Sequence, residues 1–182
     1  MKARGRRRAG IPGAAAALVA AAALCFFPCT DCLVIRGADG RAVAVLPLEA
    51  GDPGFRITFR HSVNREPWVE WYRGGAGGTI ELYRTAFKAY GAGVPTGDEG
   101  GTVSLQDGWI VIDGMRRVMP RIAMMVLPLT EHRIGVGGCD YDLVGLLRGG
   151  KLAVLSMEKR SPAAVFLARR RAGSLPRWNG TA

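Results

Sequence analysis

The sequence has few residues of the kinds that carry chemistry in small proteins. Of its 182 residues only two are histidine and four are cysteine, and three of the cysteines lie within the first 32 residues. The remaining one, Cys139, cannot form an internal disulfide framework. The sequence also lacks an H-E-x-x-H zinc motif, a G-x-S-x-G nucleophile motif and a glycine-rich phosphate loop. We therefore predict no catalytic residues, no metal ligands and no cofactor, and we favour a protein that is not an enzyme.

Acidic residues are absent from both ends of the chain. Five basic residues precede the first acid, Asp31, and beyond the last acid, Glu158, four arginines lie in the C-terminal segment, at positions 169, 170, 171 and 177. These terminal groups supply nearly all of the net charge of +10 and leave +1 for the chain between them. A nearly neutral middle has no basic surface for a polyanion, and no helix-turn-helix, zinc-finger or ribonucleoprotein pattern is present. We therefore predict that the protein does not bind nucleic acid.

An uncharged segment rich in alanine follows the N-terminal basic cluster and extends from Gly13 to Cys29. A positive region, an apolar centre and a polar exit are the features of a secretory signal, but about 17 residues is also the lower limit for a membrane-spanning helix. Residues 1–32 are therefore predicted to be a cleaved signal peptide or a retained membrane anchor. The positive-inside rule then places the domain on the periplasmic or outer side of the cytoplasmic membrane, or secretes it after cleavage.

Short alternating segments separated by glycine-rich turns predict one β-rich domain over residues 33–168. Ala38-Asp39-Gly40 lies between two apolar runs and predicts a hairpin. Many short strands with turns of this kind are typical of an antiparallel β-sandwich or an open barrel. The predicted fold is thus mainly β, preceded by an N-terminal apolar helix.

The C-terminal third of the sequence contains two signals for short helices. Asp142 precedes Leu143–Leu147 as a helix N-cap, and Ser161 caps a helix that begins with a proline. The basic residues that follow have no apolar pattern, so we predict that residues 169–182 form a disordered tail.

His61 is the most informative polar residue. It continues the alternation of Phe55, Ile57 and Phe59, which places it with Val63 on the apolar face of one strand. A buried imidazole requires a hydrogen-bond partner.

Glu66 and Glu70 are the carboxylates close to His61 in the sequence. If residues 68–73 pair back as the next strand, one of these two carboxylates could reach the imidazole ring. A structural pair of the histidine with one of them is the preferred interpretation. The alternatives are a metal site that also uses His132, and a hydrolase-like site with Ser62 as nucleophile. Adjacent residues of a strand point to opposite faces, so the second alternative is weak.

The second candidate segment is Tyr90-Gly-Ala-Gly-Val-Pro. Gly91 and Gly93 permit a tight turn that Pro95 ends, and the same glycines would also let the backbone approach a ligand closely. The turn is the preferred interpretation, and Tyr90 is included in the candidate site.

Together these segments resemble a bacterial family catalogued as domain of unknown function 1850. The family pattern is a strand ending in His-Ser-Val, a glutamate shortly after a proline, a Gly-Ala-Gly segment and a later Gly-Trp. The matching residues are His61, Ser62, Val63, Pro67, Glu70, Tyr90, Gly91, Ala92, Gly93, Pro95, Gly108 and Trp109, whereas Val94 stands where leucine is common.

The resemblance implies a small exported or membrane-anchored protein. Genes of the family are often found beside genes for tripartite ATP-independent (TRAP) transporters of the TAXI type. The resemblance therefore also implies that the partners are the membrane subunits of such a transporter or its solute-binding protein. We therefore predict an accessory or binding module of unknown ligand, joined to the membrane through its N-terminus. The rival hypothesis is a hydrolase-like or metal-binding protein centred on His61 and Glu70.

Overall fold

The computed structural model describes residues 11–49, 54–89 and 100–178. These residues form a mainly antiparallel β structure with a few short helices, as the sequence predicts. The strands are β1 (Thr30–Arg36), β2 (Ala42–Pro47), β3 (Gly54–Arg60), β4 (Pro67–Gly74), β5 (Ile80–Phe87), β6 (Thr102–Gln106), β7 (Trp109–Met119), β8 (Ile122–Met125), β9 (Arg133–Val136), β10 (Cys139–Asp142) and β11 (Leu152–Arg160). The helices are α1 (Ile11–Phe26), α2 (Leu143–Leu147) and α3 (Pro162–Ala172), with 3-10 turns at Ala76–Gly78 and Pro128–Thr130.

The described strands form two sheets. The smaller sheet has the order β2-β1-β11-β8, and the larger one has the order β10-β9-β3-β4-β5-β7-β6. Only two residues separate β7 from β8, so the chain passes from the larger sheet to the smaller one at that point. One apolar cluster contains fully buried residues of both sheets, including Leu33 and Leu155 from the smaller sheet and Ile57 and Ile112 from the larger. The core therefore lies between the two sheets.

The local turn and capping signals are confirmed. β1 and β2 pair as a hairpin around residues 37–41, where Gly40 adopts a φ of 75° and its N–H donates to the carbonyl of Gly37. The Asp142 carboxylate accepts hydrogen bonds from the first amides of α2, at 3.0 and 3.1 Å. The hydroxyl of Ser161 accepts one at the start of α3. Each signal depends only on neighbouring residues, which explains why the sequence contains it.

The predicted alternation is correct for the first part of its segment and wrong for the last part. β3 buries Phe55 and Ile57 and ends at Arg60, and a turn follows. Val63 lies in that turn with 78% of its surface exposed, so it does not belong to the apolar face. The reason is the hairpin: β4 pairs with β3 only as far as Pro67 opposite Arg60, and the chain must reverse between these residues.

Secondary structure continues past the boundary at residue 168 that the sequence predicted. α3 extends to Ala172, and Arg177 forms a β-bridge with Tyr141 of β10. The amide of Trp178 donates to the carbonyl of Asp140, and the guanidinium of Arg133 lies over the Trp178 ring. Hydrogen bonding thus holds residues 176–178 beside the larger sheet.

The start of the domain also differs slightly from the prediction. β1 begins at Thr30, within the segment assigned to the leader, and the amide of Cys29 donates to the carbonyl of Arg160. α1 ends three residues before β1. No helix within residues 11–49, 54–89 and 100–178 is both long enough and apolar enough to cross a membrane.

Candidate functional site

Strand β4 presents a carboxylate between two aromatic rings. Trp68, Glu70 and Tyr72 occupy alternate positions, so they share one face of the strand. Trp68 and Tyr72 are buried members of the apolar core, whereas Glu70 is half-buried. The register places Glu70 between Ile57 of β3 and Thr85 of β5. A polar side chain is therefore inserted into an otherwise apolar row of the larger sheet.

Tyr72 holds this carboxylate. Its hydroxyl donates a hydrogen bond of 2.6 Å to Oε2 of Glu70. Burial raises the pKa of Glu70 above its ordinary value of 4.5, although the Tyr72 hydrogen bond and the positive charge of Arg117 oppose this effect. Burial and the neighbouring carboxylate also raise the pKa of Tyr72, so its hydroxyl keeps its proton and remains a donor. The pair is thus a hydrogen-bonded carboxyl group whose charged form is disfavoured by burial and only partly favoured by its neighbours.

Trp68 is the centre of an aromatic cluster. Its ring lies 5.6 Å from Phe59, 5.8 Å from His61 and 5.0 Å from Phe87, measured between ring centroids. Its indole N–H donates to the hydroxyl of Thr85 at 2.9 Å, and that hydroxyl donates to the carbonyl of Val69. The buried polar atoms of both side chains are satisfied, as their position requires. We refer to His61, Trp68, Glu70, Tyr72 and Thr85 as the Glu70 cluster.

His61 joins the cluster from the turn that follows β3. Its amide donates to the carbonyl of Glu66 at 2.9 Å, and its carbonyl accepts from Arg65 at 3.0 Å, which closes the turn. Its Nδ1 accepts a hydrogen bond from the amide of Val63 at 3.3 Å. The imidazole is therefore fixed partly by its own turn and partly by stacking on Trp68, which is a different arrangement from a histidine within a strand.

Of the other residues that the sequence analysis proposed for the site, Ser62 and Glu66 lie apart from the buried part of the Glu70 cluster. Ser62 and Glu66 are exposed in the turn, and the amide of Glu66 is held by the Asn64 side chain. Glu70 is on the core face of β4, bonded to Tyr72. His61 and Glu70 are thus brought to the same tryptophan, with Glu70 two residues along the strand from it. Tyr90, Gly91, Gly93 and Pro95 lie outside the described residues.

The second histidine occupies a separate position. His132 is buried, and its ring stacks on Phe59 at 5.2 Å. Nδ1 lies 2.7 Å from the hydroxyl of Thr130, which itself donates to the carbonyl of Leu127. Because that hydroxyl proton is already used, Nδ1 takes the role of donor. Desolvation lowers the pKa of His132 to about 4, so the imidazole is neutral at physiological pH.

The chemistry open to the Glu70 cluster is recognition and proton exchange. A carboxyl group with a raised pKa accepts hydrogen bonds when ionised and donates one when protonated. Three aromatic neighbours of Trp68 supply flat apolar contacts. Among the residues that the structure describes, no three His, Cys, Asp or Glu side chains form a group that could hold a metal ion.

Sequence reasoning missed Trp68, Tyr72 and Thr85 as partners of Glu70. The signal was present, because Trp68, Glu70 and Tyr72 alternate on a strand that pairs with β3. A glutamate between two aromatic residues on one strand face must be buried with them or force all three to the surface.

Comparison with known proteins gives one finding. A model of the family described as domain of unknown function (DUF1850) matches residues 55–143. No curated protein matches the chain, and no solved structure matches it either. The matched segment contains the described members of the Glu70 cluster and begins with β3. The comparison therefore supports the DUF1850 family for this chain.

Proposed function

We propose that this protein is an accessory or binding module, exported or anchored at the outer side of the cytoplasmic membrane, which recognises its partner or ligand at the Glu70 cluster. The partner class that we propose is a TRAP-type solute transporter, through its membrane subunits or its solute-binding protein. The N-terminal apolar segment supplies the route to the membrane.

One observation carries the choice of site: a half-buried carboxylate, bonded to Tyr72, interrupts the apolar core face of the larger sheet. Burying a carboxylate costs free energy unless its partners compensate, and the raised pKa of Glu70 shows that compensation is incomplete. A perturbed acid among aromatic rings is characteristic of functional sites more than of neutral packing.

The test is recovery of a transporter with matched variants. The full chain carries a C-terminal affinity tag, and complexes are purified from gently solubilised membranes of a bacterium that expresses a TRAP transporter. Mass spectrometry then quantifies the transporter subunits recovered with wild type, Glu70→Gln and Glu66→Gln. Glu66 is the control because it is an exposed carboxylate four residues away.

We expect wild type and Glu66→Gln to recover the same amount, and Glu70→Gln about tenfold less, since the loss of one hydrogen bond at an interface costs roughly 1–2 kcal/mol. Equal recovery by all three forms would remove the Glu70 cluster from the interface. Absence of transporter subunits from all three would overturn the partnership. Protease treatment of spheroplasts tests the location separately, because an outward domain is digested while the cells remain intact.

A further inference from the structure

Helix α3 presents an outward surface of unusual composition. Val165 and Ala168 are buried, and the helix packs against β2 on that side. Phe166 and Leu167 are 60% and 55% exposed, with Leu167 at the edge of the helix nearer to β2. Three arginines follow Ala168, and Phe166 and Arg170 are four residues apart, so they occupy the same part of the helix surface. The guanidinium of Arg170 lies 5.7 Å from the centre of the Phe166 ring.

The arginines of α3 are uncompensated. Among the described residues, no carboxylate lies within ion-pair distance of Arg169, Arg170 or Arg171. No acidic residue follows Glu158 in the sequence, and Glu158 is itself bonded to arginines outside α3. This surface therefore joins a strong positive charge to exposed apolar side chains.

A second apolar surface adjoins the first. α1 contacts α3, and Leu24, Phe26 and Phe27 at the end of α1 are exposed. The chain leaves α1 and enters α3 at the same edge of the smaller sheet, because the amide of Cys29 is bonded to the carbonyl of Arg160. Single exposed apolar residues are ordinary in soluble proteins, but exposed apolar residues on two helices in contact, beside three cations, are not.

We propose that α3 rests on the surface of a lipid bilayer that contains anionic phospholipid. Phe166 and Leu167 would enter the boundary between headgroups and acyl chains, and Arg169, Arg170 and Arg171 would face lipid phosphates. Aromatic and aliphatic side chains beside arginines are the composition of helices that lie in this interface. The proposal requires the domain to be near a membrane, as the proposed function does, but it does not require recognition at the Glu70 cluster.

The test compares vesicle binding by the full chain and three variants. The vesicles contain either phosphatidylcholine alone or phosphatidylcholine with phosphatidylglycerol, and sedimentation gives the partition coefficient for each. The first variant is Arg169→Gln/Arg170→Gln/Arg171→Gln. Its matched control, Arg116→Gln/Arg121→Gln/Lys151→Gln, removes the same charge from exposed positions outside α3. All forms keep the N-terminal basic residues, so the contribution of that segment cancels in the comparison.

We expect the α3 variant to lose about 100-fold in binding to the anionic vesicles, at about fivefold for each arginine, and the control to lose much less. Binding to phosphatidylcholine alone should be equal for these two forms. A third variant, Phe166→Ser/Leu167→Ser, should bind both kinds of vesicle more weakly. Circular dichroism verifies that each form is folded.

Equal loss in the α3 variant and its control would show only general charge attraction and would overturn the proposal. Unchanged binding by Phe166→Ser/Leu167→Ser would overturn the insertion of the apolar side chains. Glu70→Gln should bind vesicles like wild type. If the protein recovers no transporter but the α3 variant selectively loses binding to anionic vesicles, the proposed function is wrong and this inference stands.

Discussion

Protonation of the unfolded chain at His132 should destabilise the folded protein as the pH falls below about 6.5. Its side chain is buried, with 8% of the residue exposed, and desolvation lowers its pKa to about 4. In the unfolded chain a histidine has a pKa of about 6.5. A group whose pKa is lowered by folding remains neutral in the folded state while the unfolded state takes up a proton. The unfolded state therefore gains free energy as the pH falls from about 6.5 to about 4.

The magnitude follows from the two pKa values. Each pH unit between them contributes about 1.4 kcal/mol, so the loss is about 2 kcal/mol at pH 5 and reaches about 3 kcal/mol near pH 4. For a chain of this size, about 2 kcal/mol corresponds to a decrease of roughly 4–8 °C in the melting temperature. This window lies mostly above the range in which ordinary carboxylates take up protons, which makes pH 5 a suitable point for the measurement.

Calorimetry of wild type, His132→Asn and His61→Asn at pH 7.5 and pH 5.0 checks the prediction. An asparagine amide nitrogen stands near the position of Nδ1 and can still donate to Thr130. His132→Asn should be less stable than wild type at pH 7.5, because it loses the stack on Phe59, but it should lose little more at pH 5.0. His61→Asn makes the same substitution at the other histidine of the chain and is measured beside it. The reasoning is refuted if His132→Asn and wild type lose the same number of degrees.

Two further predictions concern the Glu70 cluster. Because the folded pKa of Glu70 is raised, its contribution to stability is present below pH 4.5 and is lost as the pH rises through the folded pKa. The melting temperature of Glu70→Gln should therefore rise relative to that of wild type as the pH increases from 4 to 8, and an unchanged difference between the two forms would contradict this. Thr85→Val removes the acceptor of the Trp68 indole N–H and should lower the free energy of unfolding by about 1–3 kcal/mol in urea denaturation, against less than about 0.5 kcal/mol for the exposed Thr102→Val; equal effects would mean that the indole finds another acceptor.

The parts of the fold that the sequence predicted are those that neighbouring residues determine. Gly40 reverses the chain between β1 and β2, and Asp142 and Ser161 cap their helices with their own side chains. The sequence predicted the alternation in β3 as far as Arg60, because one face of that strand carries the buried Phe55 and Ile57 and the partly buried Phe59. In each case the relevant contact lies within a few positions along the chain.

The remaining features depend on distant partners. The end of β3 is set by the position at which β4 begins to pair, so His61 belongs to a turn although it continues the alternation. The arrangement of strands into two sheets requires contacts such as that of β1 with β11, more than 100 residues apart. Glu70 was identified as a candidate, but its bond to Tyr72 depends on which face of β4 meets the core. Single-sequence patterns contain none of these relations.

The position of β1 also governs when the domain can form. Cys32, Leu33, Val34 and Ile35 are fully buried, and the strand that contains them is paired along its whole length with β11. The smaller sheet therefore cannot assemble until a ribosome has made nearly the entire domain. β1 is synthesised long before its partner β11. Until β11 is available, the apolar side chains of β1 are exposed and can bind chaperones or aggregate.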